Sequence, residues 1–252
     1  MKPSGNISNI VNTYAKGHIK KTYMFMDKVK FKKIKEPNNE LFAVKQIDDS
    51  NPLIYLYNTH DEEKYLANES ILYAPNVKVA TSYLKEKLGL YGLKTISEDR
   101  SIRDVLSFNG WSYGSSYKVS RMYLEDTLKT YPTLKYFFDI HRDSGSHERT
   151  TICENNKCYA KILFLIGLEN SNYSENEKFA NELSTLINEK INNLSKGVIG
   201  KKGKGVNGIY NEDFSPNLLL IEVGGENNTI DEVYNTIDIL STILSDYIKE
   251  RL

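Results

Sequence analysis

Four strongly apolar runs of strand length alternate with amphipathic segments of helix length, and this alternation admits few folds. The apolar runs are NPLIYLYNTH (51–60), LKYFFDIH (134–141), YAKILFLIG (159–167) and LLLIEVGG (218–225). Amphipathic segments begin near residues 76, 116, 176 and 229, with apolar side chains at helical spacing. The pattern predicts an α/β fold, in which a three-layer domain has a mostly parallel, twisted central sheet flanked by helices.

Residues 1–50 differ in character from the rest, because they are polar and irregular. We expect them to form an N-terminal arm, with VKFKKIKE (29–36) as a strand or basic edge, packed on the core. Residues 51–252 contain no internal repeat and no linker long enough to join two domains. They are therefore predicted to be one domain, in which the glycine- and lysine-rich residues 195–217 form a mobile loop beside the substrate.

Charge and hydropathy exclude some classes of function. The chain has 33 basic and 33 acidic residues, so no net field favours nucleic acid or an anionic membrane surface. No run approaches the ~20 apolar residues of a membrane span, and residues 1–20 do not form a signal peptide. Composition leaves two locations open, the cytoplasm or the far side of a membrane beyond a removed anchor.

The two cysteines, Cys153 and Cys158, flank the turn-forming sequence ENNK between two β-prone runs. A hairpin there would place the two sulfur atoms opposite each other. A disulfide would fit an oxidising compartment, and two free thiols would fit a reducing one. The sequence leaves both alternatives open, but a zinc site made from these two residues lacks nearby ligands.

Three apolar strands end on residues that bear chemistry. His60 and His141, two of the four histidines, each close an apolar run, and Glu222 lies in IEVGG at the end of a third. The carboxyl ends of parallel strands lie along one edge of a sheet, where ligands of α/β proteins bind. Two imidazoles and a carboxylate at one edge indicate a zinc site with an open position.

The acidic residues after His60 supply a further ligand. Glu63 lies three residues after His60, within reach of the same ion, and Glu69 is the alternate. A carboxylate that is not a ligand then serves as general base. His147 lies in SGSHERTT and is interpreted as a solvated side chain or a substrate contact. A phosphate-binding loop and a serine nucleophile lack their motifs.

Several motifs, in order, resemble the stage II sporulation protein P family of zinc-dependent N-acetylmuramoyl-L-alanine amidases. YFFDIHRDS (136–144) looks like the family's DIHRD signature, and YNTHDEE (57–63) looks like its HTH…E pattern. YKVSRMYLEDTLKTYP (117–132) resembles its Tyr-x-x-Ser-Arg helix, and residues 210–236 resemble its late segment. The resemblance extends from about residue 52 to the C-terminus, roughly four-fifths of the chain.

The resemblance implies that residues 51–252 form a catalytic amidase domain that binds one zinc ion. By position it implies His60, Glu63 and His141 as the zinc ligands and Glu222 as the catalytic glutamate. It implies cleavage of the amide between N-acetylmuramic acid and the L-alanine of the peptidoglycan stem peptide. Arg142 and Arg121 are predicted to hold substrate carboxylates or the oxyanion.

The resemblance also implies a biological setting, which is a role in sporulation on the cell-wall side of a membrane. The partners it implies are peptidoglycan glycan strands with stem peptides and stage II sporulation protein D. The membrane would be reached through an anchor that this chain lacks.

One residue departs from the family pattern, because Asn58 replaces the first histidine of His-Thr-His. If that first histidine were a ligand, the metal site would be impaired. Two alternatives to the amidase therefore remain open. They are a cell-wall binding module without catalysis and a zinc endopeptidase that acts on stem peptides.

Overall fold

The computed structural model describes residues 50–67 and 74–252. The predicted arm, apart from Ser50, lies outside the described residues. The same holds for the strand predicted at 29–36, for His18 and for the alternate ligand Glu69.

The core of the domain is a six-stranded sheet. Its strands are β1 (Ile54–Tyr57), β2 (Thr95–Ser97), β3 (Tyr136–Asp143), β6 (Ile162–Gly167), β7 (Ser195–Lys201) and β8 (Leu218–Gly225), and β4 (Thr151–Glu154) pairs with β5 (Lys157–Ala160) in a separate hairpin. The strand order in the large sheet is β2-β1-β3-β8-β6-β7. The first four of these strands are mutually parallel, whereas β6 runs antiparallel to β8 and parallel to β7. This topology confirms the predicted mostly parallel sheet.

Helices cover both faces of this sheet. They are α1 (Val77–Leu90), α2 (Ile102–Asn109), α3 (Ser116–Thr130), the single turn α4 (His147–Thr150), α5 (Tyr173–Lys190) and α6 (Ile230–Lys249). Apolar residues of α1, α5 and α6 form the larger core with one face of the sheet. On the other face, Leu124 of α3 packs with Tyr55, Tyr57 and Phe137. Strand alternation assigns each side chain to one of these faces, so the site residues on the α3 face can be identified from the register.

The ends of two helices follow from their sequences. Thr229 caps α6, because its side chain accepts from the Glu232 N–H while the Glu232 carboxylate accepts from the Thr229 N–H. Gly92 lies just beyond α1 with φ of 81°, a left-handed conformation that glycine adopts without a steric penalty.

Three features of the sheet and its connections differ from the sequence predictions. Residues 195–201 are the edge strand β7, so the predicted loop begins only after Lys201. Strand β2 and helix α2 were not predicted, because β2 has three residues and α2 has eight. The run 159–167 divides into β5 and β6 at Lys161. The short elements β2 and α2 fall below the length over which a period can be recognised.

The β4–β5 hairpin resolves the alternatives for the cysteines. Cys153 and Cys158 face each other in the antiparallel register and form a disulfide. The turn between them uses Asn155 and Asn156, both with positive φ, as a type I′ hairpin turn requires.

In the described part of the chain, no helix combines the length and the apolar character of a membrane crossing.

Candidate active site

Three distant segments of the chain meet at the carboxyl ends of β1, β3 and β8. His60 follows β1 by three residues, and His141 lies opposite Glu222 in the parallel register of β3 and β8. The ring centroids of His60 and His141 are 5.2 Å apart, with the planes at 82°. The structure therefore brings the two predicted histidines together on one side of the domain, on the face covered by α3.

Glu63 joins the histidines through a tight turn. The Glu63 N–H donates to the His60 carbonyl at 3.0 Å, which turns the chain back toward β3. Glu63 Oε2 then lies 3.4 Å from His141 Nδ1 and accepts from the Arg142 N–H at 3.1 Å. Burial raises the pKa of Glu63, but the bonds from His141 and Arg142 outweigh burial and lower it overall. Glu63 is thus an ionised carboxylate beside His141.

The two histidines have different electrostatic surroundings. Burial, and then the neighbouring His141, lower the pKa of His60, so its ring is neutral near pH 7. Burial also lowers the pKa of His141, but the carboxylates of Asp139 and Glu63 outweigh it and raise that pKa overall. His141 is 2% exposed, so these carboxylates act on it without screening by water.

Glu222 is the fourth member of the site. Burial raises its pKa to about 7, and the carboxylates of Glu63 and Asp143 add to the shift. Its Oε2 atom is buried without a hydrogen-bond partner among the described residues. A carboxyl group with this pKa can exchange a proton at neutral pH, which is the property of a general acid–base group.

The side chains at the site match the donor chemistry of a zinc ligand set, but they are not arranged as a finished metal centre. Within residues 50–67 and 74–252, no group of three or more His, Cys, Asp or Glu side chains can hold a metal ion as it stands. Two imidazoles and an ionised carboxylate nevertheless lie together, and His60 Nδ1 is buried with no hydrogen-bond partner in the described chain. This orphaned nitrogen and the N, N, O donor set fit a zinc ion.

Asn58 does not contribute to this cluster. Its side chain is 5% exposed and donates to the Ile140 carbonyl at 2.6 Å and to the Thr81 hydroxyl at 2.9 Å. Thr81 belongs to α1, on the opposite face of the sheet from α3. The residue that departs from the family pattern therefore holds the end of β1 against α1, on the face of the sheet opposite His141.

The two arginines predicted to bind substrate already have partners. Arg121 forms ion pairs with Glu125 at 3.0 Å and Asp213 at 2.8 Å. The Arg142 guanidinium donates to the backbone carbonyls of Lys64 and Asp143 and lies 3.9 Å from Glu226. Their predicted substrate role stays a prediction.

His147 contacts a different part of the structure from His60 and His141. Its Nε2 atom lies 2.9 Å from a carboxylate oxygen of Glu232, at the first turn of α6. His147 is therefore a hydrogen-bond partner of Glu232.

Two further sets of residues lie at the site. One is the Tyr113–Tyr117 region, which the sequence indicates as a candidate wall of an open substrate groove, and the other is a buried pair that was not identified from the sequence. The ring of Tyr113 stacks on His60 with centroids 4.7 Å apart, and Tyr117 meets His60 edge-on at 5.5 Å. Tyr113 remains 58% exposed, so the site opens toward solvent past an aromatic ring. The second set is the buried pair Asp139 and Thr59, which lies beneath His141. The Asp139 position within DIHRD was the available signal, since strand period places it on the face of His141.

Comparison with known families gives a match over nearly the whole chain. A family model described as stage II sporulation protein P (SpoIIP) matches residues 4–245. The stage II sporulation protein P of Bacillus subtilis (strain 168) is 32% identical over 213 residues, which are 80% of this chain and 52% of that protein. The chain therefore spans about half the length of the curated relative that it matches.

Solved structures of amidases show a more distant likeness. An N-acetylmuramoyl-L-alanine amidase from Clostridium difficile 630 is 12% identical with a TM-score of 0.46, over 80% of this chain and 97% of that chain. The CwlD amidase from Clostridioides difficile, in complex with the GerS lipoprotein, is 16% identical with a TM-score of 0.48, over 79% of this chain and 99% of that chain.

Proposed function

The chain belongs to the stage II sporulation protein P family, and from this premise we propose that it is a zinc-dependent peptidoglycan hydrolase. The bond that it cleaves is the amide between N-acetylmuramic acid and the L-alanine of the stem peptide. The observation that carries the proposal is the meeting of His60, Glu63, His141 and Glu222 at one edge of the sheet.

His60, Glu63 and His141 are the residues proposed to hold the metal. His60 is neutral and Glu63 is ionised, which are the protonation states that a metal ligand requires. His141 must release a proton to become a ligand, and its two carboxylate neighbours hold the ring in place meanwhile. When bound, zinc supplies a Lewis acid that polarises the scissile carbonyl and acidifies a water molecule.

Glu222 is proposed as the general base and then the general acid. It takes a proton from the attacking water as the new C–O bond forms at the amide carbon. When the C–N bond breaks, Glu222 returns that proton to the leaving amine of L-alanine. A pKa of about 7 suits both steps, because the carboxyl group is near its midpoint at neutral pH.

Tyr113 and the two arginines are proposed to position the substrate. The exposed ring of Tyr113 beside His60 offers a flat apolar face to a sugar or peptide group. Arg142 lies directly after His141, and its guanidinium would have to exchange its backbone partners for a stem-peptide carboxylate. Arg121 would have to leave Asp213 and Glu125 in the same way.

A pair of matched variants tests this assignment. Glu222→Gln should keep one zinc ion per chain and lose turnover on purified cell walls by at least ~100-fold, because general acid–base catalysis contributes that much. Glu177→Gln, on the exposed surface of α5, is the control and should retain full turnover. Normal turnover by Glu222→Gln would refute the base assignment, and stoichiometric zinc in His141→Ala would refute the ligand assignment.

Mass spectrometry of the digested wall separates the amidase from its alternatives. The amidase releases free muramoyl groups and new N-terminal L-alanine. An endopeptidase instead cuts between stem-peptide residues, and a binding module retains the wall without any release. Either of these last two product patterns would replace the proposed function.

The wall-facing location and the partner are proposed on the family alone. We expect stage II sporulation protein D to be captured by this chain on peptidoglycan strands. Equal capture by an unrelated wall-binding protein would refute the partnership.

A further inference from the structure

A fully buried carboxylate lies beneath the proposed metal ligand His141. Asp139 precedes His141 by two residues in β3, so both side chains project from the same face of the sheet. Asp139 is 0% exposed, and its Oδ1 lies 2.9 Å from His141 Nε2. Apart from this contact, Nε2 has no hydrogen-bond partner within the described residues.

Both oxygens of Asp139 are also tied to the segment that carries His60. The Thr59 N–H donates to Oδ1 at 2.8 Å, and the Thr59 hydroxyl donates to Oδ2 at 2.6 Å. Thr59 is the residue immediately before His60. One carboxylate therefore fixes the two histidines relative to each other, one through its ring and the other through the adjacent backbone.

The hydrogen-bond network around Asp139 continues away from the site into the protein interior. The Thr59 hydroxyl lies 2.8 Å from the Ser120 hydroxyl, which accepts from the Asn211 side chain at 2.9 Å. The four residues of this network are buried, and they come from four separate segments of the chain. They are Asp139, Thr59, Ser120 and Asn211. These are the segments whose motifs resemble the family, namely DIHRD, NTH, the Ser-Arg helix and YNED.

Burying Asp139 and its polar partners is unfavourable for the free energy of folding. An ionised carboxylate loses several kcal/mol of hydration on transfer to the interior, and apolar replacements of buried ion pairs are often neutral or stabilising. A carboxylate that only filled the core at this position would therefore have no advantage over an apolar residue. The contact of Asp139 with the imidazole of His141, a proposed zinc ligand, explains why a carboxylate lies at this position.

Deepening the proposed function, on which this inference rests, we propose that Asp139 is a positioning residue for the zinc ligand His141. It accepts the proton of Nε2, which fixes the tautomer and leaves the Nδ1 lone pair on the side of Glu63. Histidines that bind metals commonly donate their other N–H to a carboxylate, and loss of that carboxylate weakens metal affinity by 10–100-fold. Thr59, Ser120 and Asn211 then hold the carboxylate itself.

The test measures zinc affinity by competition with a chromophoric chelator, together with the melting temperature of the zinc-free chain. Asp139→Asn keeps the shape and removes the charge, and should bind zinc about 10–100-fold more weakly. Its zinc-free melting temperature should fall, because the new amide group cannot accept both hydrogen bonds from Thr59. At a temperature where the variant stays folded, a purely structural role of Asp139 would leave the zinc affinity unchanged. Glu212→Gln is the control, since Glu212 is also 0% exposed but has no contact with His141, and should keep the wild-type affinity.

The outcomes separate this inference from the function on which it rests. If the wild-type chain binds zinc and Asp139→Asn binds it equally tightly, the positioning role is wrong and the amidase proposal stands. If the wild-type chain binds no zinc, the proposed function itself is wrong. Should Asp139→Asn fail to fold, Thr59→Ala replaces it. That variant removes one donor to the carboxylate, and unchanged zinc affinity in it would overturn the inference.

Discussion

Glu212 provides a quantitative test of the electrostatics of the fold. It lies in a 3-10 turn (Glu212–Phe214) that packs against β8 and α5, and it is 0% exposed. Its Oε2 accepts from the Gly167 N–H at 2.6 Å, while Oε1 has no partner in the described chain. Burial raises the pKa of Glu212 from 4.5 to about 8, against the opposing effect of the Gly167 bond. At neutral pH the folded protein therefore holds a protonated carboxyl group here.

The raised pKa makes stability depend on pH in one direction. Below pH 4.5 the group is protonated in both the folded and the unfolded chain, and its contribution to stability is fully present. Between pH 4.5 and 8 the unfolded chain ionises while the folded chain keeps its proton, so stability falls as pH rises. At 1.36 kcal/mol per pKa unit, the total loss by pH 8 is on the order of 5 kcal/mol.

Glu212→Gln removes this dependence, because glutamine is neutral at every pH. We expect the free energy of unfolding of the variant, minus that of the wild type, to rise steadily from pH 5 to 8. Urea unfolding at four pH values, with a chelator present to exclude metal binding, measures this difference. Glu177→Gln, at an exposed site, should show no change with pH. A wild-type-to-variant difference that is the same at pH 5 and pH 8 would falsify the argument, whatever its absolute size.

Three further predictions concern stability and substrate contact. Replacing both Cys153 and Cys158 by serine should lower the free energy of unfolding by about 2 kcal/mol, since the bridge closes a short loop; an equal loss on reducing the wild type, measured by urea unfolding, checks it. Gly224→Ala should cost about 1–3 kcal/mol, because φ is 69° and a Cβ atom would lie 2.8 Å from the Ala160 Cβ; unchanged urea stability contradicts it. Tyr113→Leu should lower kcat/KM on muropeptides about fivefold through lost stacking on His60, while Tyr113→Phe should not; equal losses in both variants would show that the ring is not what matters.

The sequence was sufficient to predict elements with a strong period and the edge at which they end. His141 and Glu222 lie near the carboxyl ends of β3 and β8, which continue to Asp143 and Gly225. Polar residues near the ends of apolar runs predicted that the two side chains would lie together. Glu63 followed from its spacing after His60 and from the family resemblance. The sequence did not indicate the direction of each strand, because β6 and β7 both run opposite to β8 and nothing in their residues signals the reversal.

Edge strand β7 shows why composition misled. Its residues, SKGVIGK, include two glycines and two lysines, which are typical of a loop. Pairing with β6 supplies the hydrogen bonds that these residues would otherwise make with water. Lysine at a sheet edge also opposes further strand pairing, so a loop-like composition is compatible with this position. The predicted loop was wrong over 195–201 because tertiary pairing overrides local propensity.

The two aspartates of DIHRD show which part of the site the sequence does not determine. Both Asp139 and Asp143 are two residues from His141, and strand period gives both the same face. The register with β8 shifts between His141 and Asp143, and Asp143 instead accepts from Lys196 at 2.6 Å and from the Gly145 N–H at 3.0 Å. Asp139 lies before the shift, deep in the sheet, where Thr59, two residues beyond β1, donates to it. The motif letters therefore present two equivalent carboxylates, and the bulge decides which one supports the imidazole.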